Sequence, residues 1–161
     1  MAREPDAALD AWSLRLCRHE DVQRILEIRA ETFAHFAPQS YSSEEVETLL
    51  GDVRESELRE MTENGTLFVA EAGGVVIGCG GWQGELVRHM YVLPGETRRG
   101  VGSALLRALE ADYQRRTGNA SIRAGVVLYA QGFYEKNGYK LVEEAVDWDG
   151  SKYLRMRKAL G

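Results

Sequence analysis

Cysteine is nearly absent from this 161-residue chain. Cys17 and Cys79 are the only two, and they have neither framework spacing nor a CxxC partner. That excludes a disulfide scaffold and fits a reduced, cytoplasmic protein. Histidine is equally scarce. His19, His35 and His89 lie far apart, with no HExxH or other paired-ligand spacing, so no metal is expected. Basic residues do not predominate: 20 Lys and Arg face 25 Asp and Glu, giving a formal net charge of -5. That balance argues against nucleic acid as the main partner. It leaves room for an anionic ligand wherever a local cluster such as Arg98-Arg99 opposes the overall sign. No apolar run approaches the roughly 20 residues of a membrane span, and the first ten residues lack the apolar stretch of a secretory signal. Repeats, low-complexity tracts and linkers are also missing, so one domain over residues 12–161, preceded by a flexible tail over 1–11, is expected.

Local patterns supply the elements. Ser13 to Leu16 reads as a first strand. His19-Glu20-Asp21 opens an amphipathic stretch carrying Val22, Ile25, Leu26, Ile28 and Phe33, which Pro38 interrupts. Ser42-Ser43-Glu44-Glu45 is a serine cap with acids in the first turn, followed by Val46, Leu49 and Leu50 on one face. The charged segment Asp52 to Asn64 reads as a continuation of that helix or a surface connection. Thr66 to Ala72 and Val75 to Gly80 are strands joined through Gly73-Gly74, and a third strand runs from Glu85 to Leu93. A helix follows, with Val101, Leu105, Ala108, Leu109 and Tyr113 at helical spacing and Gly118 as its stop. Ser121 to Val127 is a strand, Tyr129 to Lys136 a helix, and Lys140 to Trp148 with Lys152 to Arg157 a closing hairpin.

Two segments carry chemistry. Thr97-Arg98-Arg99-Gly100-Val101-Gly102-Ser103 lies between a strand and a helix. Backbone N–H groups at a helix start are unpaired and sit at the positive end of the dipole, so they suit a phosphate. Gly100 and Gly102 let the backbone come close, and Arg98 and Arg99 can add charge-assisted bonds. A dinucleotide fingerprint would need glycine at Leu105, and a Walker loop would need Gly-Lys-Ser/Thr where Gly102-Ser103-Ala104 stands. A plain packing turn is the remaining alternative. The second segment is Ala130-Gln131-Gly132-Phe133-Tyr134-Glu135-Lys136-Asn137-Gly138-Tyr139.

In that order these segments resemble motifs A and B of the GCN5-related N-acetyltransferase (GNAT) family. The first is similar to its Gln/Arg-x-x-Gly-x-Gly/Ala pattern, with Thr97 where the family usually has Gln or Arg. The second is similar to Ala-x-x-x-Tyr-x-x-x-Gly-Phe/Tyr. The resemblance covers about Thr66 to Lys158 and implies a single α/β (α+β) domain. Its central sheet would be mixed, mostly antiparallel and twisted, with about six to seven strands and about four flanking helices. Two parallel central strands, Glu85 to Leu93 and Ser121 to Val127, would splay apart to admit the cofactor.

The implied activity is direct transfer of an acetyl group from acetyl-coenzyme A to the primary amine of a small-molecule or peptide acceptor. A non-catalytic acyl-coenzyme A binding or sensing module of the same fold is the alternative, and a homodimer is compatible with either. The resemblance assigns Arg98, Arg99, Gly100, Val101, Gly102 and Ser103 to the pyrophosphate, and Met90, Tyr91 and Val92 to backbone contacts with the pantetheine arm. It assigns Tyr134 as general acid to the leaving thiolate; an aromatic anchor beside Phe133 is the other reading. A phenol, with a reference pKa near 10, is protonated at neutral pH. For the base, Glu85 and His89 are both candidates, and alternation places 85, 87 and 89 on one strand face. A polar strand face served by a water chain remains open. Cys79 reads as a small buried strand residue, Trp82 and Tyr41 as core or acceptor-pocket aromatics, and Glu143, Glu144, Asp147 and Asp149 as solvated hairpin surface.

Overall fold

Alternating apolar residues and glycine-rich turns build a seven-stranded mixed sheet. The computed structural model describes residues 11–51 and 55–161. The tail expected over residues 1–11 therefore lies outside the described residues except for Ala11, as do positions 52–54. The strands are β1 (Trp12–Leu16), β2 (Leu67–Ala72), β3 (Val75–Gln83), β4 (Leu86–Val92), β5 (Ser121–Val126), β6 (Lys140–Val146) and β7 (Lys152–Ala159). Their order is β1-β2-β3-β4-β5-β7-β6, antiparallel throughout except for the β4–β5 pair. Five α-helices accompany them among the described residues: α1 (Val22–Phe36), α2 (Ser43–Gly51), α3 (Glu55–Asn64), α4 (Val101–Thr117) and α5 (Gln131–Lys136).

Two helix ends form where the sequence signals them. Ser42 Oγ accepts from the Glu45 N–H at 3.1 Å while Glu45 accepts from the Ser42 N–H at 2.9 Å, a reciprocal cap that starts α2. Gly118, at φ +75°, stops α4 by returning its N–H to the Gln114 carbonyl. The segment read as a continuation of α2 or a surface connection instead carries the separate helix α3 over Glu55–Asn64. Its Leu58 and Met61 are fully buried against Val22, Ile25, Leu67 and Val69. Two apolar residues three apart in a strongly charged run form a narrow stripe, and that stripe is enough to dock the helix.

α1 and α3 cover one face of the sheet, and α4 covers the other with Leu105, Leu106, Leu109 and Tyr113. Several polar groups inside are paired. Tyr139 donates to Glu110 at 2.6 Å and Lys158 reaches the same carboxylate at 2.9 Å, tying the start of β6 and the end of β7 to α4. Trp82 Nε1 donates to Asp112 at 2.9 Å, which settles that ring as a core group.

Backbone approach is closest at Gly81. A Cβ there would lie 2.4 Å from the Thr66 carbonyl oxygen and 3.0 Å from Leu67 Cα, both backbone atoms that cannot yield. Gly81→Ala is therefore expected to cost about 1–3 kcal/mol in urea unfolding. Gly132→Ala, in α5 with nothing within 4 Å of the added methyl, should be neutral or stabilising by less than about 1 kcal/mol. Equal stability of the two variants would contradict this packing.

Candidate active site

The feature that organises the site is a break in β4. Strand pairing between β3 and β4 runs from Gln83↔Leu86 to Gly81↔Arg88, then shifts register before Cys79↔Tyr91. His89 occupies the bulge with φ +56°, the one positive φ at a non-glycine residue among the described residues. The carbonyl it turns aside accepts from Cys79 Sγ at 3.1 Å. On the other edge, β4 pairs with β5 only at Leu86↔Arg123 and Val87↔Ala124. Beyond Val87 the two parallel strands part, and the β4 edge from the bulge to Val92 faces a gap.

The bulge also overturns the expected alternation of residues 85, 87 and 89. Arg88 and His89 are sequence neighbours, yet both reach one carboxylate. Glu57 Oε1 lies 2.6 Å from Arg88 Nη2 and 2.8 Å from His89 Nε2. Val87 instead packs into the core beside Leu106 and Leu109. Glu85 lies outside β4, in the turn after Gln83, where it is exposed and ion-paired with Arg123. Of the two expected bases, His89 is the one that lines the larger of the two cavities described below.

Two cavities flank the gap. One, about 690 Å³, is lined by Arg29, Phe33, Tyr41, His89, Tyr91 and residues of β5, β6 and β7. Tyr41 is fixed there, donating to the Lys152 carbonyl at 2.8 Å and accepting from the Leu128 N–H at 3.0 Å. Glu143 and Asp147, expected on a solvated hairpin surface, also border it. The second cavity, about 270 Å³, is mostly apolar and lined by Thr32, Phe36, Met90, Val92, Tyr129, Phe133 and Tyr134. Tyr134 is buried, with its ring edge-on to Phe133 and Tyr139. Burial first, then the neighbouring Tyr91 and Tyr129 phenols, push its pKa well above the ordinary tyrosine value. Its hydroxyl has no hydrogen-bond partner among the described residues and is held in the neutral, donating form.

The Arg-Gly turn adjoins the second cavity through Thr97 and Gly102. Thr97 Oγ1 donates to the Pro94 carbonyl at 3.1 Å and closes a short 3₁₀ turn. Gly100 takes φ +76° ahead of α4, and no side chain caps that helix, so the first N–H groups from Val101 onward point out unpaired. A Cβ at Gly102 would meet the Phe133 ring at 3.0 Å, so glycine lets α4 and α5 close together. Arg99 pairs with Glu96, and its second terminal nitrogen, Nη2, is buried with no partner. Arg98 is exposed. An orphaned guanidinium nitrogen beside uncapped N–H groups is a donor set that fits a diphosphate.

Among the described residues no group of three or more His, Cys, Asp or Glu could hold a metal ion. Cys79 is fully buried, which raises its thiol pKa far above the ordinary range, so it is no nucleophile. Also among the described residues, no helix is long and apolar enough to cross a membrane.

A family model, the acetyltransferase (GNAT) domain, matches residues 37–160. The chain belongs to the GNAT acetyltransferase family. Solved structures share the fold at low identity. A GCN5-related N-acetyltransferase from Rhodopseudomonas palustris is 24% identical with a TM-score of 0.84, over 92% of this chain and 95% of that one. The PaiA N-acetyltransferase from Thermoplasma acidophilum, in complex with coenzyme A, is 22% identical with a TM-score of 0.71, over 92% and 99%. A Mycobacterium tuberculosis protein in complex with coenzyme A is 18% identical with a TM-score of 0.67, over 92% and 99%. No curated protein matches the chain.

Burial raises the pKa of both Cys17 and Cys79, so neither supplies thiolate at mild pH. A thiol reagent at pH 8 should leave both unlabelled in the native protein and modify both in guanidinium. Rapid labelling of the native protein at Cys79 would contradict the burial of that thiol between β3 and α1.

Proposed function

We propose that this protein transfers the acetyl group of acetyl-coenzyme A directly to a primary amine. The observation that carries the reading is the gap between β4 and β5, with Tyr134 at the smaller cavity on one side and the larger cavity on the other. Acetyl-coenzyme A would supply a thioester carbonyl and a thiolate leaving group. The residues present supply what those groups need.

Uncapped N–H groups of Val101, Gly102 and Ser103, with Gly100 opening the turn, would hold the diphosphate. Arg98 and the unsatisfied nitrogen of Arg99 add charge. The free β4 edge, Met90 to Val92, offers backbone groups to the pantetheine amides as an added strand would. A backbone N–H on this edge, near Tyr91 or Val92, can polarise the carbonyl. Tyr134 donates its proton to the departing sulfur. Because its pKa is raised, it stays protonated across the neutral range. His89 serves as base; burial outweighs Glu57 and lowers its pKa, so it is neutral and able to accept a proton at pH 7. Glu85, exposed and held by Arg123, is the weaker candidate.

Acetyl-coenzyme A should raise the melting temperature, and coenzyme A thiol should be released when an acceptable amine is added. Tyr134→Phe should lower kcat by roughly 100-fold or more while leaving the KM for acetyl-coenzyme A largely in place. No basic limb from Tyr134 should appear below pH 10, since its folded pKa lies above the ordinary value. Failure of every acyl-coenzyme A to shift the melting temperature would sink the reading. Binding without thiol release from any amine would make the protein an acyl-coenzyme A sensor.

A further inference from the structure

We propose that the acceptor amine surrenders its proton through the Tyr91 hydroxyl to Nδ1 of His89, with Glu57 as the positioning residue that fixes the imidazole. The inference rests on the acetyltransferase reading above. Its basis is an unbroken set of hydrogen bonds at the wall of the larger cavity. His89 Nε2 lies 2.8 Å from Glu57 Oε1, and His89 Nδ1 lies 3.2 Å from the Tyr91 hydroxyl. Tyr91 in turn shares a hydrogen bond with Arg29, whose guanidinium sits 4.8 Å from the centre of the Phe33 ring. Both ring nitrogens of His89 are therefore engaged by protein groups. An amine cannot take either one without displacing a partner, whereas Tyr91 borders the cavity and still has an oxygen lone pair to offer.

The partners settle which nitrogen carries the proton. A carboxylate only accepts, so Nε2 is the protonated nitrogen of the neutral ring and Nδ1 is the acceptor. The Tyr91 O–H must then donate to Nδ1. Arg29 donates to the same oxygen, and that orients the hydroxyl proton towards the imidazole. Glu57 is itself held in place by both Arg88 Nε, at 3.0 Å, and Arg88 Nη2, at 2.6 Å. Of its partners, only His89 can change charge near neutral pH.

The step balances. As the amine nitrogen bonds to the acetyl carbon, a proton on that nitrogen moves to the Tyr91 oxygen while the Tyr91 proton moves to His89 Nδ1. Tyr91 ends neutral and His89 ends as imidazolium beside the Glu57 carboxylate. The carbon–sulfur bond breaks, and the sulfur takes the Tyr134 proton. Tyr91 touches the reacting nitrogen and is a catalytic residue in the strict sense; Glu57 acts through His89. Burial pushes the Tyr91 pKa up to about 12, so the relay hands a proton through and does not store a phenolate.

The groups facing His89 are Glu57 from α3, Arg29 from α1, Cys79 from β3, and Arg88 and Tyr91 from its own strand. Of these, Glu57 alone raises the His89 pKa. An acid limb in kcat/KM should therefore lie below the ordinary histidine value of about 6.5. Glu57→Gln should move that limb to still lower pH and reduce the plateau rate. A helix contact with no role in proton transfer would not move it. Tyr91→Phe and His89→Gln should each cut kcat roughly 100-fold with the protein still folded.

The test combines imidazole ¹⁵N spectra with these pH profiles. At pH 7 the His89 spectrum should show a neutral ring protonated on Nε2, and Tyr91→Phe should shift the Nδ1 resonance. A ring protonated on Nδ1, or an imidazolium at pH 7, overturns the relay whatever the activity. With acetyl transfer established in the wild type, full activity in Tyr91→Phe, or an unmoved acid limb in Glu57→Gln, also overturns it while leaving the acetyltransferase reading intact. No acetyl transfer to any amine overturns that reading, and with it the transfer step of the relay. The spectrum still decides the hydrogen-bond path.

Discussion

The left-handed turn of the backbone at His89 is the constraint on which the site depends. A histidine at φ +56° is uncommon and costs conformational energy, so something must hold it there. Four contacts do: the Cys79 thiol on its carbonyl, Glu57 and Tyr91 on its ring, and the resumed pairing of Tyr91 with Cys79. One extra residue in β4 then has three consequences. It bends the strand away from β5 after two paired residues, it leaves the β4 edge open, and it places Arg88 and His89 on the same carboxylate.

The remaining elements supply the two sides of that gap. α4 is preceded by a glycine at positive φ and has no side-chain cap, and its first turn borders the smaller cavity at Gly102. α5 is only six residues long, but its Phe133 rests on Gly102 and its Tyr134 is packed by Phe133 and Tyr139. The phenol is thus fixed by aromatic contacts on its ring, while its oxygen has no hydrogen-bond partner among the described residues. On the other side, Tyr41 bridges the hairpin and the segment after β5, closing the larger cavity at its rim.

Much of this was legible in the sequence, because it rests on local signals. The serine cap of α2, the glycine that ends α4, and the two motifs read as a phosphate turn and a tyrosine helix all depend on neighbours a few residues apart. The family match agrees with the resemblance, and β4 and β5 part where it implied a splay. What escaped depends on distant partners. A bulge at a histidine has no glycine to announce it. Glu57 sits in a run of charges whose burial is visible only once Leu58 and Met61 dock α3 on the sheet. Glu143 and Asp147 join the cavity only because β7 pairs beside β5 and carries β6 with it. Thr97 stands where the family usually has a longer side chain, and its hydroxyl serves the preceding turn.

We propose that the break in β4 creates the slot for acetyl-coenzyme A. Residue-resolved amide hydrogen exchange, with and without acetyl-coenzyme A, tests it most directly. The account predicts slowed exchange in two places at once, the β4 edge from Met90 to Val92 and the start of α4 from Val101 to Ser103. Leu86 and Val87, already paired with β5, should not change. Slowing confined to other parts of the chain, or none on β4 beyond His89, would contradict it.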